Sequence, residues 1–206
     1  MQYLMLMAKW PIMPYHKPFQ NIACQQVMAE NGSIFSVQWT DLPATTDGVP
    51  SAEELLYRYL KCVRKWTLTL VRPEILESGI EFRLLGSRRS LISFLPPSYA
   101  DGFATLSICG GLLVQPHQRI RDDFRFGIEY LSETVRVSLQ LSDFHPLILG
   151  NSRPPVPIRF WLYRASQAAI HRLLTIRFLA KLYHELAGPS AGVRVINVAV
   201  RTGKPV

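Results

Sequence analysis

The chain has 206 residues, of which 48% are hydrophobic and 11% aromatic, and its formal net charge is +8 at pH 7. This composition suffices for a continuous core and excludes disorder over most of the chain. The longest segment without Lys, Arg or Glu, residues 90–118, contains an aspartate, three prolines and three glycines. These residues exclude a membrane-spanning helix there.

The cysteines and the charges narrow the class of protein further. Cys24, Cys62 and Cys109 are an odd number without a Cys-x-x-Cys spacing, which argues against a disulfide framework and against a zinc site. The same cysteine pattern makes a reducing cytoplasm the expected location. The apolar start of the chain has no basic residue before it and no small-residue cleavage site, so we expect no signal peptide. Residues 1–150 carry 14 basic and 14 acidic side chains, whereas residues 151–206 carry nine basic side chains and the single acid Glu185. The whole excess of positive charge therefore belongs to the last quarter of the chain.

The first 65 residues predict short elements. Five prolines interrupt residues 1–50, within which we predict a short helix over 21–30 and a strand over 33–39. Ser51 and Glu54 form a capping box at the start of a helix that is predicted from Ala52 to about Lys65.

From residue 66 to 144 the apolar residues follow a period of two, which is typical of strands. One face of the predicted sheet is apolar and the other polar, as in an antiparallel sheet that is covered on one side. The last two strands form a hairpin around Ser132-Glu133, in which four pairs of residues lie opposite each other: Phe126 and Leu139, Ile128 and Val137, Tyr130 and Val135, and Glu129 and Arg136. The predicted strands are 66–72, 79–85, 89–95, 104–114, 122–131 and 134–142.

The last part of the chain predicts one long helix and a final strand. A helical pattern runs from Ile158 to Ala187, with prolines before it and Gly188-Pro189 after it. A strand is predicted over 193–200, and residues 201–206 are expected to be mobile. We find no internal repeat and no linker, so we expect a single domain over residues 1–206, made of an irregular segment (1–50), a helix plus sheet (51–149), the long helix (158–187) and the final strand (192–200).

This order of elements resembles the helix-grip fold of START-like proteins, a group that includes lipid-transfer proteins, plant hormone and allergen proteins, and aromatic polyketide cyclases. The resemblance covers roughly residues 33–187 and rests on element order alone. It implies an α+β fold in which a curved antiparallel sheet packs against one long C-terminal helix, with short N-terminal helices and a cavity between sheet and long helix. The final strand departs from the pattern, and it could cap a sheet edge, pair with another chain, or contradict the resemblance.

Projecting the long helix at about 100° per residue places Arg172 in the middle of a broad apolar face. A guanidinium there must find a carboxylate, carbonyl groups or a bound anion. We therefore consider Arg172 a polar anchor for a ligand, while the commoner alternative is an ion pair with Glu81 or Asp143, or a side chain that reaches the edge of the sheet. The other residues predicted to line the cavity are Trp161, Ala168, Ala169 and Ile176 from the helix and Phe126, Ile128, Val137 and Leu139 from the sheet.

Two further groups could carry chemistry. His145 is a candidate general acid or base, and Asp143, on the same face if the strand continues, could orient it; the commoner alternative is a loop histidine that hydrogen-bonds its own turn. Cys109 could be a nucleophile if His117 approached it, but a buried inert cysteine is commoner. Gly110-Gly111 indicates a bulge in a strand. No metal and no cofactor are predicted.

The leading hypothesis is therefore binding of an apolar small molecule or lipid between sheet and long helix, with Arg172 as the polar anchor. A cyclase or isomerase would add His145 and Asp143 as a proton-transferring pair. The alternative is a non-enzymatic module whose basic last quarter binds an acidic protein, an anionic membrane or nucleic acid. A nucleic-acid or membrane partner is not favoured, since the basic face carrying Arg159, Arg164, Arg177, Lys181 and His184 is typical of a solvated helix. The sequence is also compatible with a homodimer.

Overall fold

The computed structural model describes residues 19–116, 122–152, 155–188 and 192–206. These residues form an α+β fold in which a curved, unclosed sheet of 11 strands packs against a long C-terminal helix. The strands are β1 (Gln20–Met28), β2 (Ile34–Pro43), β3 (Val71–Leu76), β4 (Gly79–Leu84), β5 (Ser90–Phe94), β6 (Ser98–Ala100), β7 (Phe103–Gly110), β8 (Asp123–Tyr130), β9 (Thr134–Phe144), β10 (Val193–Asn197) and β11 (Lys204–Pro205). The helices are α1 (Ala52–Trp66), a 3-10 turn (Leu147–Leu149), and the long helix, which comprises α2 (Pro157–Tyr163), a π-helical segment (Arg164–Ala168) and α3 (Ala169–Ala187).

The order of the strands in the sheet is β10-β1-β2-β9-β8-β7-β5-β4-β3, while β11 pairs with the end of β1 and β6 pairs with β7. The pair β1–β10 is parallel and the other strand pairs are antiparallel. The predicted final strand therefore caps one edge of the sheet. The tail after it is held as well, because Lys204 and Pro205 pair with Met28 and Val27.

The predicted hairpin is present with the predicted register. Phe126 pairs with Leu139, and Ile128 pairs with Val137. Arg136 lies opposite Glu129 as predicted, but its guanidinium binds Asp41 of β2 instead, with Nε 2.7 Å from Oδ1 and Nη2 3.0 Å from Oδ2. The β2–β9 pairing brings Asp41 opposite Arg136. A carboxylate that accepts hydrogen bonds from two guanidinium nitrogens at once binds arginine more strongly than a carboxylate with a single contact.

Helix α1 begins where the capping box predicts. Glu54 N donates to Ser51 Oγ at 3.2 Å, and Ser51 N donates to Glu54 Oε2 at 3.0 Å. The helix buries Leu55, Tyr59 and Val63 against the sheet. The ring of Tyr59 lies 5.3 to 5.5 Å from three aromatic rings, so it joins the helices to the sheet at the centre of the core; these rings belong to Phe124, Phe126 and Phe178.

The predicted helix over residues 21–30 is wrong, because these residues form strand β1. Their local preference is ambiguous, since Ala, Gln and Met favour helices. However, β1 pairs with β2 along one side and with β10 and β11 along the other, and these hydrogen bonds outweigh the local preference. The strand predicted over 66–72 is also displaced, because α1 extends to Trp66 and β3 begins at Val71.

The long helix runs without a break from Pro157 to Ala187, with proline at its first turn and Gly188 at its end with φ 84°. The regular projection fails in its first half. Trp161 is 61% exposed, whereas Phe160 and Tyr163 are buried. The π-helical segment accommodates one residue more than a regular turn, so residues before it are rotated by about 100° relative to those after it. None of the helices in the described ranges is long and apolar enough to cross a membrane.

Candidate functional site

A cavity of about 220 Å³ lies between the sheet and the long helix. The aromatic rings of Phe82, Phe94, Phe124 and Phe144 form much of the sheet side. Apart from the phenols of Tyr59 and Tyr163, the polar side chains that line the cavity are Thr67, Gln167 and His171. The remaining lining residues are Val63, Val71, Leu91, Ile92, Ile108, Leu113, Leu141, Ile170 and Leu174.

Two polar atoms of the lining lack hydrogen-bond partners within the described part of the chain. They are Gln167 Oε1 and His171 Nε2, both buried. Each buried polar atom left without a partner costs roughly 1–3 kcal/mol, and most such atoms in proteins are paired. Two such atoms, one helical turn apart in a mainly apolar cavity, are suited to a hydrogen-bonding group of a bound molecule.

Burial keeps the imidazole of His171 neutral. The ring lies edge-on to Phe124 with its centroid 5.6 Å from that of the phenyl ring. Burial lowers the pKa of His171 from 6.5 to about 4, because the charged imidazolium would lose its hydration. At neutral pH one ring nitrogen donates and the other accepts.

Gln167 and His171 face the cavity from neighbouring turns of the long helix. Gln167 lies inside the π-helical segment, and His171 follows its end by one turn, in α3. Tyr163, Gln167, His171 and Leu174 follow each other at spacings of four, four and three residues, so they lie along one side of the helix and line the same cavity. A regular projection centred on Arg172 misses them. The signal that could have found them is the pair Gln167 and His171 itself, four residues apart and flanked by aromatic and aliphatic residues.

The residues predicted to line the cavity lie elsewhere. Phe126, Ile128, Val137 and Leu139 are buried, but in the packed core, where Phe126 lies 4.5 Å from Phe124. On the helix, Ala168 is buried, and its carbonyl oxygen accepts from Gln26 Nε2 at 3.3 Å, whereas Ala169 and Trp161 are exposed and Ile176 is half-buried at the edge of the helix. The cavity between sheet and helix is present, whereas the contacts expected of these residues with a ligand are still predictions.

Arg172 does not line this cavity, and its role as a polar anchor for a ligand stays a prediction. Its Nη2 atom donates to Asn197 Oδ1 of β10 at 3.4 Å in an exposed position. The predicted ion-pair partners are engaged elsewhere, since Glu81 binds Arg83 at 2.7 Å and Asp143 binds Arg201 at 3.3 Å. The added edge strand β10 supplies the partner that the sequence did not indicate.

The basic residues of the last quarter are distributed over several surfaces. Arg164, Arg172 and Arg201 line one surface cleft of about 670 Å³ beside β1. Lys181 binds Glu185, and Lys204 lies 4.1 Å above the ring of Phe160. The charge excess is therefore not one continuous face, and its role in binding an acidic partner stays a prediction.

His145 and Asp143 do not form the predicted pair. His145 Nδ1 lies 3.4 Å from Oδ1 of Asp122, and the backbone N of His145 donates to Oδ2 of Asp122 at 3.1 Å, with both side chains buried. Asp143 has φ 53°, a left-handed conformation that breaks the alternation of β9 and turns its carboxylate toward Arg201. His145 lines a separate groove beside Gln115 and Gly150, so it does not meet the cavity.

The bulge expected at Gly110-Gly111 is present. The register between β5 and β7 shifts there, and Gly111 has φ 123° where a Cβ would lie 2.4 Å from Leu91 O. Cys109 is exposed, so the expectation of a buried cysteine is wrong, yet partial desolvation still raises the pKa of its thiol, which disfavours the reactive thiolate. His117, the predicted partner of Cys109, is outside the described residues.

Comparisons with known proteins add little to this geometry. Among solved structures, the crystal structure of CalU16 from Micromonospora echinospora is similar with a TM-score of 0.29 and 14% sequence identity, over 75% of this chain and 98% of that chain. A similarity of this level supports no argument about function. No protein-family model matches the sequence. A search of curated proteins finds no significant match.

Proposed function

We propose that the chain binds a small, mainly apolar molecule with a hydroxyl or N–H group in the cavity between sheet and long helix. Gln167 Oε1 and His171 Nε2 are the atoms that receive this group, and their burial without partners is the observation that carries the proposal. Gln167 Oε1 can only accept a hydrogen bond, which favours a ligand that donates.

The volume limits the size of the ligand. A cavity of about 150 Å³ holds benzene, and pockets for drug-sized molecules measure about 300–1,000 Å³. The cavity of about 220 Å³ lies between these cases and suits a molecule of one or two rings. This volume argues against a whole membrane lipid as the ligand, because such a molecule is larger than the cavity. We further propose that the fold is a variant of the helix-grip arrangement in which β10 is an added parallel edge strand.

The proposal predicts a preference for a ligand with a hydroxyl group. We expect purified protein to bind 2-naphthol more tightly than naphthalene, by roughly two- to tenfold, since one hydrogen bond contributes about 0.5–1.5 kcal/mol. Both affinities are measured by fluorescence titration. In Gln167→Leu and His171→Leu the preference is expected to disappear, because the polar partner is replaced by an apolar side chain of similar size.

Arg172→Ala is the matched control, since its guanidinium hydrogen-bonds Asn197 outside the cavity. This variant is expected to bind both probes as the wild type does. Loss of 2-naphthol binding in Arg172→Ala, with unchanged binding in His171→Leu, would instead support the arginine as the anchor. If neither probe binds the wild type, the cavity does not serve this function.

A further inference from the structure

Two neighbouring turns form an exposed apolar projection at one end of the sheet. They are the turn between α1 and β3, residues 67–70, and the turn between β4 and β5, residues 85–89, which together we call the leucine tip. Leu85 N donates to Leu70 O at 2.8 Å, so the two turns lie side by side. Leu68 is 86% exposed, Leu70 54% and Leu85 51%. Single exposed leucines are common, but three in adjoining turns form a patch.

The backbone of the first turn favours glycine over the residues that are present. Leu68 has φ 51° and Thr69 has φ 63°, and these values are left-handed. A leucine and a β-branched threonine are strained there, whereas glycine adopts the same angles freely. Stability therefore gains nothing from Leu68, which is both strained and the most exposed of the three leucines.

Positive charge surrounds the leucines. Arg64 and Lys65 occupy the last turn of α1, and Arg88 and Arg89 lie in the second turn, with all four side chains exposed. Within the described ranges none of the four has an acidic partner within 4.0 Å. Residues 64–72 and 84–91 contain no Asp or Glu. These two stretches of the sequence therefore carry only positive charge, although residues 1–150 are neutral as a whole.

We propose that the leucine tip docks on the surface of an anionic lipid bilayer. The leucines enter the boundary between head groups and acyl chains, and the basic side chains bind the lipid phosphates and carboxylates. Exposed leucines distinguish this partner from nucleic acid, whose phosphates would engage the arginines but leave the leucines in water. The proposal does not depend on the ligand proposed above, although Thr67, Val71 and Leu91 of this region also line the cavity.

The experiment is flotation of full-length protein with vesicles of phosphatidylcholine, with or without phosphatidylserine. We expect binding to the vesicles that contain phosphatidylserine and weaker binding as salt is raised. Leu68→Gly is expected to weaken binding at least about tenfold, because it removes the most exposed apolar side chain. The double variant Arg88→Gln/Arg89→Gln is expected to weaken it by about 25-fold, at about fivefold for each charge.

The controls carry the same changes outside the leucine tip. Leu131→Gly removes a leucine that is 45% exposed in the turn between β8 and β9. Arg177→Gln/Arg194→Gln removes two exposed arginines of the last quarter. Both are expected to bind as the wild type does. Leu68→Gly is expected to fold at least as stably as the wild type, which urea unfolding checks, so lost binding cannot be ascribed to unfolding.

Three outcomes would overturn the proposal. The first is wild-type protein that does not float with phosphatidylserine vesicles. The second is equal weakening by the control arginine pair, which would indicate attraction by net charge alone. The third is a concentration-dependent dimer that Leu68→Gly abolishes while vesicle binding is unchanged, which would assign the patch to a second copy of the chain.

Discussion

At the scale of single residues, His171 is a buried imidazole whose protonation is linked to stability. Its imidazole is neutral because burial lowers its pKa to about 4. Below pH 6.5 the unfolded chain binds a proton at this residue that the folded chain does not bind until pH falls to about 4. The stabilising contribution is therefore complete above pH 6.5 and is lost progressively as pH falls to about 4.

This linkage predicts that His171→Leu reduces the loss of stability between pH 7 and pH 4. From the change in pKa, the wild type is expected to lose at most about 3 kcal/mol more than the variant over this range. Urea unfolding at a series of pH values measures the free energy of unfolding of the wild type and of the variant. Equal pH dependence in the two proteins would show that His171 has the same pKa in the folded and unfolded chains.

The side chains of two candidate site residues, His145 and Arg172, have partners that the sequence does not indicate. His145 was a sound candidate for a carboxylate-paired histidine, but its partner is Asp122, 23 residues away, because Asp143 adopts a left-handed conformation. Arg172 hydrogen-bonds Asn197 outside the cavity, whereas Gln167 and His171 line it. In both cases the residue type was informative, while the direction of the side chain depended on backbone features that no periodic pattern reveals.

At the scale of elements, the π-helical segment affects which residues of α2 face the sheet. It rotates α2 relative to α3 so that Phe160 and Tyr163 are buried. Gln26 Nε2 donates to Ala168 O at 3.3 Å, which ties the end of the segment to β1. The segment thus links the packing of α2 to the polar lining of the cavity.

Deleting Ala165, an exposed residue of the segment, is expected to restore a regular helix and to destabilise the protein by several kcal/mol. The deletion turns Phe160 and Tyr163 out of the core, and removing one large buried aromatic side chain typically costs about 3–5 kcal/mol. Urea unfolding measures the change, and Ala165→Ser is the control that keeps the chain length. Near wild-type stability of the deletion variant would show that the extra residue does not set the rotation.

At the scale of the whole molecule, the sheet is most strongly held at its centre. Strand β9 pairs along both sides with β2 and β8, and it buries Val135, Val137 and Leu139. Strand β10 pairs with β1 and β3 pairs with β4, and these two strands end the order of the sheet. The free energy needed to open a strand locally is expected to decrease from β9 toward both ends of the sheet.

Hydrogen exchange tests this gradient. The backbone amides of β9 and β8 are expected to exchange slowest, near the rate of global unfolding, and those of β10 and β3 faster through local opening. Mass spectrometry of peptic fragments resolves these strands. Slower exchange in β10 than in β9 would indicate that the edge is covered by a further contact, such as a second copy of the chain.

Local sequence patterns specify the α+β class, helix α1 with its capping box, the long helix and the register of the β8–β9 hairpin. These depend on short-range periodicity, caps and turns, which the order of residues encodes directly. Tertiary structure alone decided that residues 20–28 form a strand, that β10 closes the sheet edge, and that Gln167 and His171 enter the cavity while Arg172 does not. Strand pairing joins residues that lie far apart in the chain, and the packing of the long helix on the sheet sets which of its sides faces the cavity; the periodicity of a single segment records neither contact.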